Sequence, residues 1–320
     1  MTGEDLEAAV LGGPLELTRE EVSRLTGVPD EQARAVWLAM GFPEVGPGER
    51  AFTRRDADAL RTAIELCEGG LVDLDTLLVL ARAMGQELSR MAEAHVSALR
   101  TLAVGLPAEE ALAAATASAT EVVPQLEQLV VHVWRRQLAA AAGRAFAHLG
   151  REGLPVLAVG FVDLVGWTRT SREWEVPALE RLLEQFERDT ALRVTAQGGR
   201  VVKTLGDAVL FVCDDPRAAA EVALGSVQAH AQDERLPEVR AGVASGPVLL
   251  RLGDVFGQPV NLASRLSDEA RPGTVLVDLE AAAVLSEDPA YELVRVRTRS
   301  VRGYSALRPH VLRRAAPAQE

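Results

Sequence analysis

The sequence predicts an α+β protein in which an all-helical half precedes a half that contains a β-sheet. Residues 1–150 show repeated helical hydrophobic periodicity, with glycine and proline between the segments and no alternating strand pattern. Beyond them, an apolar run in residues 157–162 predicts a buried strand, and VVKTLGDAVLF, residues 201–211, has the pattern of a β-hairpin. The two halves therefore differ in fold class.

The helical half contains a helix-turn-helix pattern. In residues 17–43 two helical segments flank a turn at Gly27, and Thr18 and Glu21 have the spacing of a capping box. This pattern alone suggests DNA binding, but residues 1–150 carry nine of the chain's twelve net negative charges, and an acidic surface repels phosphate backbones. We therefore favour a helical hairpin packed within its domain and expect no nucleic-acid partner.

Helical periodicity and proline placement divide the chain into three segments. We predict an all-helical domain over residues 1–124, a connector helix over 125–150 and a sheet-containing domain over 151–320. The connector is predicted as one helix from Gln125 to Leu149, about 37 Å long at 1.5 Å per residue, with an apolar stripe along it.

Composition indicates a protein of a reducing compartment. The apolar runs are far shorter than the ~20 residues that a membrane span needs, and no signal peptide with a basic first segment opens the chain. The two cysteines, Cys67 and Cys213, fall in different predicted domains without metal-ligand spacing. We expect a cytoplasmic protein with no transmembrane segment.

Lys203 is the only lysine in the chain, because the other 33 residues in the Lys+Arg count of 34 are arginines. Arginine is a planar fork of five donors, whereas lysine is a compact point charge on a flexible stem, so the two differ in a pocket that must donate one hydrogen bond. Either Lys203 serves such a pocket, or it is left over from a compositional drift toward arginine. Its surroundings favour the first interpretation.

Three motifs follow one another after residue 150. LAVGFVDLVGWTRT ends a predicted strand with Asp163, VVKTLGDAVLF places Asp207 just beyond a hairpin turn, and DVFGQPVNLASRL puts Asn261 and Arg265 on one face of a predicted helix. In this order and spacing the motifs resemble those of the class III nucleotide cyclases, over roughly residues 151–312. The resemblance implies a ferredoxin-like βαββαβ core that cyclises a nucleoside triphosphate and releases pyrophosphate.

Asp163 and Asp207 are the candidate metal ligands. Cyclisation builds charge on the attacking, leaving and equatorial oxygens, and two divalent cations can neutralise it. Mg²⁺ prefers carboxylates together with substrate phosphates, so two aspartates at adjacent strand ends suit Mg²⁺ or Mn²⁺. The main-chain N–H groups of the following turn are candidates for cradling the phosphates, namely those of Leu164, Val165, Gly166 and Trp167.

The base is predicted to be adenine. Adenine offers an amino donor and a ring-nitrogen acceptor, for which a carboxylate and an ammonium are the complementary pair. Lys203 and Asp254 occupy the positions that resemble the adenine-reading residues of the family, and Asp254 has the alternative role of a turn acid before Gly257. The predicted substrate is therefore ATP.

The same resemblance assigns three further side chains. It implies that Arg265 stabilises the transition state and that Asn261 positions the ribose. Arg302 lies where a basic residue of the family contacts the terminal phosphates, and a solvated basic edge strand is an alternative explanation for it.

The spacing of Lys203 and Asp207 implies an assembly. These residues flank one tight turn, yet they must serve the base and the triphosphate at opposite ends of the nucleotide. The family combines the metal aspartates of one subunit with the base-reading and transition-state residues of another. Because this chain carries all the matching positions, we expect a symmetric homodimer with two composite sites.

The first half resembles the autoinhibitory module of actinobacterial-type cyclases. We consider two regulatory inputs: a proton, sensed by His132 or His148 on the connector, and a fatty acid or other apolar ligand in the helical domain. The histidines have the alternative role of plain interface or surface residues.

A competing function is a nucleotide-binding signalling or transcription-related module without turnover, which the transition-state arginine disfavours. A diguanylate cyclase is disfavoured because no GGDEF-like run occurs.

Overall fold

The computed structural model describes residues 2–100, 104–147, 153–233, 235–296, 299–301 and 304–315. The chain divides into two compact units, Met1–Ala147 and His148–Glu320. The described part of the first unit is helical apart from its loops and one isolated β-bridge, and the second contains a sheet, so the predicted α+β class is confirmed. Within the described residues, no helix combines the length and the apolarity that crossing a membrane requires.

The first unit places six helices in the described ranges: α1 (Gly3–Leu11), α2 (Arg19–Thr26), α3 (Asp30–Ala39), α4 (Arg54–Glu68), α5 (Leu74–Arg100) and α6 (Ala108–Ala147). Helices α2 and α3 form the predicted helix-turn-helix, with Gly27 in the left-handed conformation that ends α2. The predicted capping box is present, since Thr18 Oγ1 accepts from the Glu21 N–H and the Glu21 carboxylate accepts from the Thr18 N–H. Apolar side chains of α2 to α5 share one core.

Helix α6 begins well before the predicted connector. It runs from Ala108 through Pro124, so the prediction that a helix begins at Gln125 is wrong. A proline inside a helix removes one donor and crowds the carbonyl four residues earlier, which here belongs to Thr120. Thr120 is exposed, so water can solvate that carbonyl. Most of the predicted apolar stripe is exposed on this unit, as the side chains of Leu129, Val133, Leu138 and Phe146 show.

The second unit is a sheet with helices on both faces. Its strands are β1 (Val156–Leu164), β2 (Arg200–Leu205), β3 (Ala208–Cys213), β4 (Val239–Pro247), β5 (Leu249–Arg251), β6 (Asp254–Phe256), β7 (Val275–Val277), β8 (Tyr291–Arg295), β9 (Arg299–Val301), β10 (Tyr304–Leu307) and β11 (His310–Arg314). Its helices are α7 (Trp167–Glu173), α8 (Val176–Ala196), α9 (Pro216–Gln232), α10 (Gln258–Glu269) and α11 (Leu279–Leu285).

Seven strands form the main sheet in the order β2-β3-β1-β4-β7-β11-β8. Strand β1 pairs antiparallel with β3 and with β4, and β2 pairs antiparallel with β3. The elements β1, α8, β2, β3, α9 and β4 therefore form the predicted ferredoxin-like βαββαβ core. A parallel pairing of β4 with β7 then extends the sheet toward β11 and β8.

Alternating side chains of β1 enter two different cores. Ala158, Val162 and Leu164 pack with α8 and α9, whereas Leu157, Val159 and Phe161 share the core of α10 residues Ala263 and Leu266. Because side chains alternate along a strand, Asp163 lies on the α10 face.

Two glycines allow close approaches in this unit. A Cβ at Gly160 of β1 would collide with the ring of Phe211, which lies directly opposite on β3 and covers it. A Cβ at Gly242 of β4 would collide with the main chain of Ala263 and Ser267, so helix α10 lies directly on the backbone of β4.

Asp278 joins β4 to α11 below the surface. It is 3 % exposed, caps the N-terminus of α11 by accepting from the Ala281 N–H at 2.9 Å, and accepts from the Ser245 N–H of β4 at 3.3 Å. Burial raises the pKa of Asp278 from 3.8 to about 7, with a hydrogen bond to Glu280 adding to the rise.

We expect the stability of the second unit to fall as the pH rises from 5 to 8. Between pH 3.8 and about 7 the folded protein holds a proton on Asp278 that the unfolded chain has released, so deprotonation favours unfolding. Asp278→Asn keeps a good N-cap but cannot ionise. Its Tm relative to wild type should therefore rise by about 3 °C or more over this range, measured by calorimetry on the full chain. A Tm difference independent of pH would contradict the raised pKa.

Candidate active site

Asp163 stands at the end of the central strand with only 15 % of its side chain exposed. Burial raises the pKa of Asp163 above its usual value, a hydrogen bond from Arg240 opposes the rise, and the negative charge of Asp207 adds to it. Arg240 donates from Nε to Asp163 Oδ2 at 2.7 Å, and its Nη2 lies 2.7 Å from the same oxygen. The carboxylate is thus partly buried, paired and close to a second acid.

Asp207 lies in the turn that joins β2 to β3. Gly206, with φ of 66°, makes this turn, and the Asp207 carbonyl accepts from the Leu164 N–H at 2.9 Å. The two predicted metal ligands therefore come to the same edge of the sheet. Within the described ranges, no group of three or more histidine, cysteine, aspartate or glutamate side chains is placed to hold a metal. A cation bound by these two carboxylates would take its remaining ligands from a substrate and water.

Fewer main-chain N–H groups are available to cradle phosphates than the sequence predicted. The N–H groups of Leu164 and Val165 donate to the carbonyls of Asp207 and Glu238, at 2.9 and 2.8 Å. The prediction that these two groups cradle phosphates is wrong, because main-chain pairing at the sheet edge already uses them. For Gly166, in the turn, and Trp167, which begins helix α7, the role stays a prediction.

Lys203 and Asp254 contact each other directly. Lys203 lies opposite Leu210 in the register of β2 and β3, and its Nζ donates to Asp254 Oδ2 at 2.6 Å. Asp254 Oδ1 also accepts from the Val255 N–H at 2.8 Å. Burial alone would raise the pKa of Asp254, but these two hydrogen bonds outweigh it and hold the pKa below its usual value.

Asn261 and Arg265 lie on α10, as predicted. Asn261 is exposed, and Arg265 lies with its Nη1 3.3 Å from the carboxylate of Asp268 one turn further on. An exposed ion pair of this kind contributes little stability, roughly 0–1 kcal/mol, so Arg265 can exchange it for a substrate. Both side chains project from a helix that lies directly on the sheet, because Gly242 has no Cβ.

Three of the predicted residues receive no support from this geometry. Arg302 and His148 lie outside the described residues. His132 is exposed on α6 in the first unit, so its role as a proton sensor stays a prediction.

Sequence reasoning missed Arg240 and Asp268. Arg240 pairs with Asp163 and also donates from Nη1 to the Asp268 carbonyl at 2.6 Å. The signal was an arginine at the start of the apolar strand RAGVASG, which the β1–β4 register places opposite Asp163. That register was not available from the sequence.

Comparison with known proteins identifies the family of the second unit. Residues 152–314 match the family described as Adenylate and Guanylate cyclase catalytic domain. The chain belongs to this family. The class III cyclase resemblance that the motifs predicted is thereby confirmed.

Relatives of the cyclase extend the match over the helical unit. An adenylate cyclase of Streptomyces coelicolor is 42 % identical over 91 % of this chain and 75 % of its own length. One from Glutamicibacter nicotianae is 36 % identical over 96 % of this chain and 81 % of its own. A pH-sensitive adenylate cyclase of Mycobacterium tuberculosis is 33 % identical over 85 % of this chain and 71 % of its own.

We expect that replacing Lys203 lowers cyclase activity even when the new residue is arginine. Lys203→Glu places an acid beside Asp254 and should lower kcat/KM for ATP by at least about tenfold, the cost of one mismatched buried contact. Lys203→Arg should also lower it, because the wider guanidinium replaces a single donor with a fork. Cyclic product from ATP and GTP is measured separately, with Arg188→Lys, at an exposed surface pair on α8, as the matched control. A normal kcat/KM for Lys203→Arg would show that the base is read elsewhere.

Proposed function

We propose that this cyclase converts ATP into 3′,5′-cyclic AMP and pyrophosphate. The observation that carries the proposal is the contact between Lys203 Nζ and Asp254 Oδ2 at 2.6 Å. The ammonium can donate to adenine N1 while the carboxylate accepts from the N6 amino group, and guanine presents the reverse pattern at these positions. The names of the curated relatives, adenylate cyclases, support the same base.

Asp163 and Asp207 fit two divalent cations, Mg²⁺ or Mn²⁺. Asp163 Oδ1 accepts no hydrogen bond from a described residue, and the interaction between the two carboxylates indicates that they are close. When bound, such cations would lower the pKa of the ribose 3′-hydroxyl and neutralise charge on the triphosphate. The protein's own part is to hold the two carboxyl groups at one sheet edge.

Residues of α10 act on the rest of the nucleotide. Asn261 is exposed on the helix and suits a hydrogen bond to the ribose. Arg265 presents a planar donor fork, which suits the equatorial and leaving oxygens as negative charge develops on them. Because its ion pair with Asp268 is exposed, transfer of the guanidinium to a phosphate costs little.

We propose that the working unit is a homodimer with two composite sites. The hairpin of β5 and β6, which carries Asp254, exposes Leu249, Leu250, Leu252 and Phe256. Leu205 at the end of β2 is also about half exposed. Several exposed apolar side chains on one hairpin favour a protein partner. A second copy of the chain would cover it and bring its own aspartates to the base-reading pair.

We expect subunit mixing to restore activity in one combination only. Asp163→Ala and Arg265→Ala homodimers should each lose more than about a hundredfold in kcat. Co-expressed, they should recover about a quarter of wild-type activity, since half of the dimers are mixed and each mixed dimer has one intact site. Cyclic AMP formation is measured after confirming mixed dimers by native mass spectrometry.

The matched control mixes Asp163→Ala with Asp207→Ala. Both acids of one site belong to the same subunit, so every site in this mixture lacks a metal ligand and activity should stay absent. Recovery in the control, or none in the first mixture, would contradict the composite site. Near-normal activity of either aspartate variant alone would contradict the metal assignment.

The first unit contains an apolar cavity. A cavity of about 250 Å³ lies among α2, α3, α4 and α5, with an almost entirely apolar lining that includes Val36, Phe52, Leu60 and Leu77. At its edge Arg34 donates to Glu44 at 2.7 Å, and both side chains are substantially exposed. We propose that an apolar ligand with an acidic head group, such as a fatty acid, occupies the cavity and competes with Glu44 for Arg34.

We expect a bulky side chain in the cavity to abolish this regulation. Ala63→Trp should reduce binding of oleate to the full chain by at least about tenfold, measured by calorimetry, and remove any effect of oleate on cyclic AMP formation. Ala114→Trp, at an exposed position of α6, is the control and should bind oleate normally. Equal oleate binding by both variants would exclude the cavity as the site.

A proton is the second proposed input. The relative named as pH-sensitive supports it, and imidazole is the side chain whose ordinary pKa lies near neutrality. In the described residues His132 is exposed on α6, so its side chain is accessible to solvent. Loss of the pH response in His132→Gln would support this sensor, and an unchanged response would exclude it.

A further inference from the structure

Arg240 is bound to Asp163 by an unusual arrangement of donors. The two residues are cross-strand neighbours in the β1–β4 register. Arg240 Nε and Nη2 both lie 2.7 Å from a single oxygen, Asp163 Oδ2. The other carboxylate oxygen, Oδ1, accepts no hydrogen bond from a described residue.

An arginine–carboxylate pair elsewhere in the same unit shows the usual geometry. Arg314 donates from Nη1 to Glu221 Oε1 at 3.0 Å and from Nη2 to Oε2 at 2.7 Å. This fork-to-fork contact uses both carboxylate oxygens, as expected of a pair that only joins two elements. The Arg240 contact differs because it leaves one oxygen of a partly buried carboxylate available.

The guanidinium is itself fixed at its other end. Arg240 Nη1 donates to the Asp268 carbonyl in α10 at 2.6 Å, and the Arg240 side chain is only 28 % exposed. Three donors are thus committed in directions set by β1 and α10. A rigidly held guanidinium prevents the Asp163 carboxylate from rotating.

We propose that Arg240 is a positioning residue for cyclisation, which holds Asp163 through Oδ2 and leaves Oδ1 to bind a divalent cation. The inference rests on the proposed role of Asp163 as a metal ligand. Arg240 itself does not contact the nucleotide. Partners that orient a metal-binding side chain commonly change metal affinity by about 10- to 100-fold when they are removed.

The test measures metal binding directly. Full-length wild type, Arg240→Gln, Arg240→Lys and Arg314→Gln are titrated with Mn²⁺ in the presence of 3′-deoxy-ATP, which cannot cyclise, and free Mn²⁺ is followed by electron paramagnetic resonance. Arg240→Gln should bind Mn²⁺ at least about tenfold more weakly. Arg240→Lys keeps the charge but not the fork, so it should fall between Arg240→Gln and wild type. Arg314→Gln removes the comparison pair and should leave Mn²⁺ affinity unchanged, whatever its Tm.

Two outcomes would overturn the proposal. Mn²⁺ affinity of Arg240→Gln within twofold of wild type would show that Arg240 does not position the ligand. If Arg240→Gln does not fold, wild-type affinity in Arg240→Lys would have the same meaning. Asp163→Ala separates the two levels of inference. Its loss of Mn²⁺ binding with normal binding by Arg240→Gln rejects only the role of Arg240, whereas normal binding by Asp163→Ala rejects the metal assignment as well.

Discussion

The second unit depends on a strand that is buried on both faces. Strand β1 contributes alternate side chains to two cores and pairs with β3 on one side and β4 on the other. A slip of one residue would turn every one of these side chains to the wrong face. The same register fixes where Asp163 ends the strand and which residues lie opposite it. The candidate site is therefore located by apolar packing, although its own residues are charged.

Charge in the site is balanced locally. Asp163 pairs with Arg240, Asp268 with Arg265, and Asp254 with the single lysine. These three acids thus already have a cationic partner. An exposed pair such as Arg265 with Asp268 can be exchanged readily, whereas the partly buried pair of Asp163 is costly to break. Arg265 can therefore leave its partner for a substrate, whereas Arg240 stays on Asp163.

Sequence patterns predicted the features that depend on local chemistry. The apolar run of β1, the hairpin around Gly206 and the helix that carries Asn261 were all expected, because each follows from neighbouring residues. Arg240 was missed since it lies 77 positions from Asp163 and meets it only through strand register. The bonded N–H groups of Leu164 and Val165 were missed for the same reason. The predicted helix boundary at Pro124 was wrong, because proline is disfavoured in a helix but tolerated where solvent reaches the freed carbonyl.

The contact between Gly242 and helix α10 has a consequence for how this enzyme can diverge. The helix rests on β4 where the glycine has only a hydrogen atom, so any larger residue would lift the helix and shift Asn261 and Arg265 together. Lys203 and Asp254, the proposed base-reading pair, stand on other elements, β2 and β6, which this contact does not involve. Substitutions at the proposed base-reading pair can therefore leave the position of Arg265 unchanged. The absence of a Cβ at Gly242 constrains the position of α10 but not the strands that carry Lys203 and Asp254.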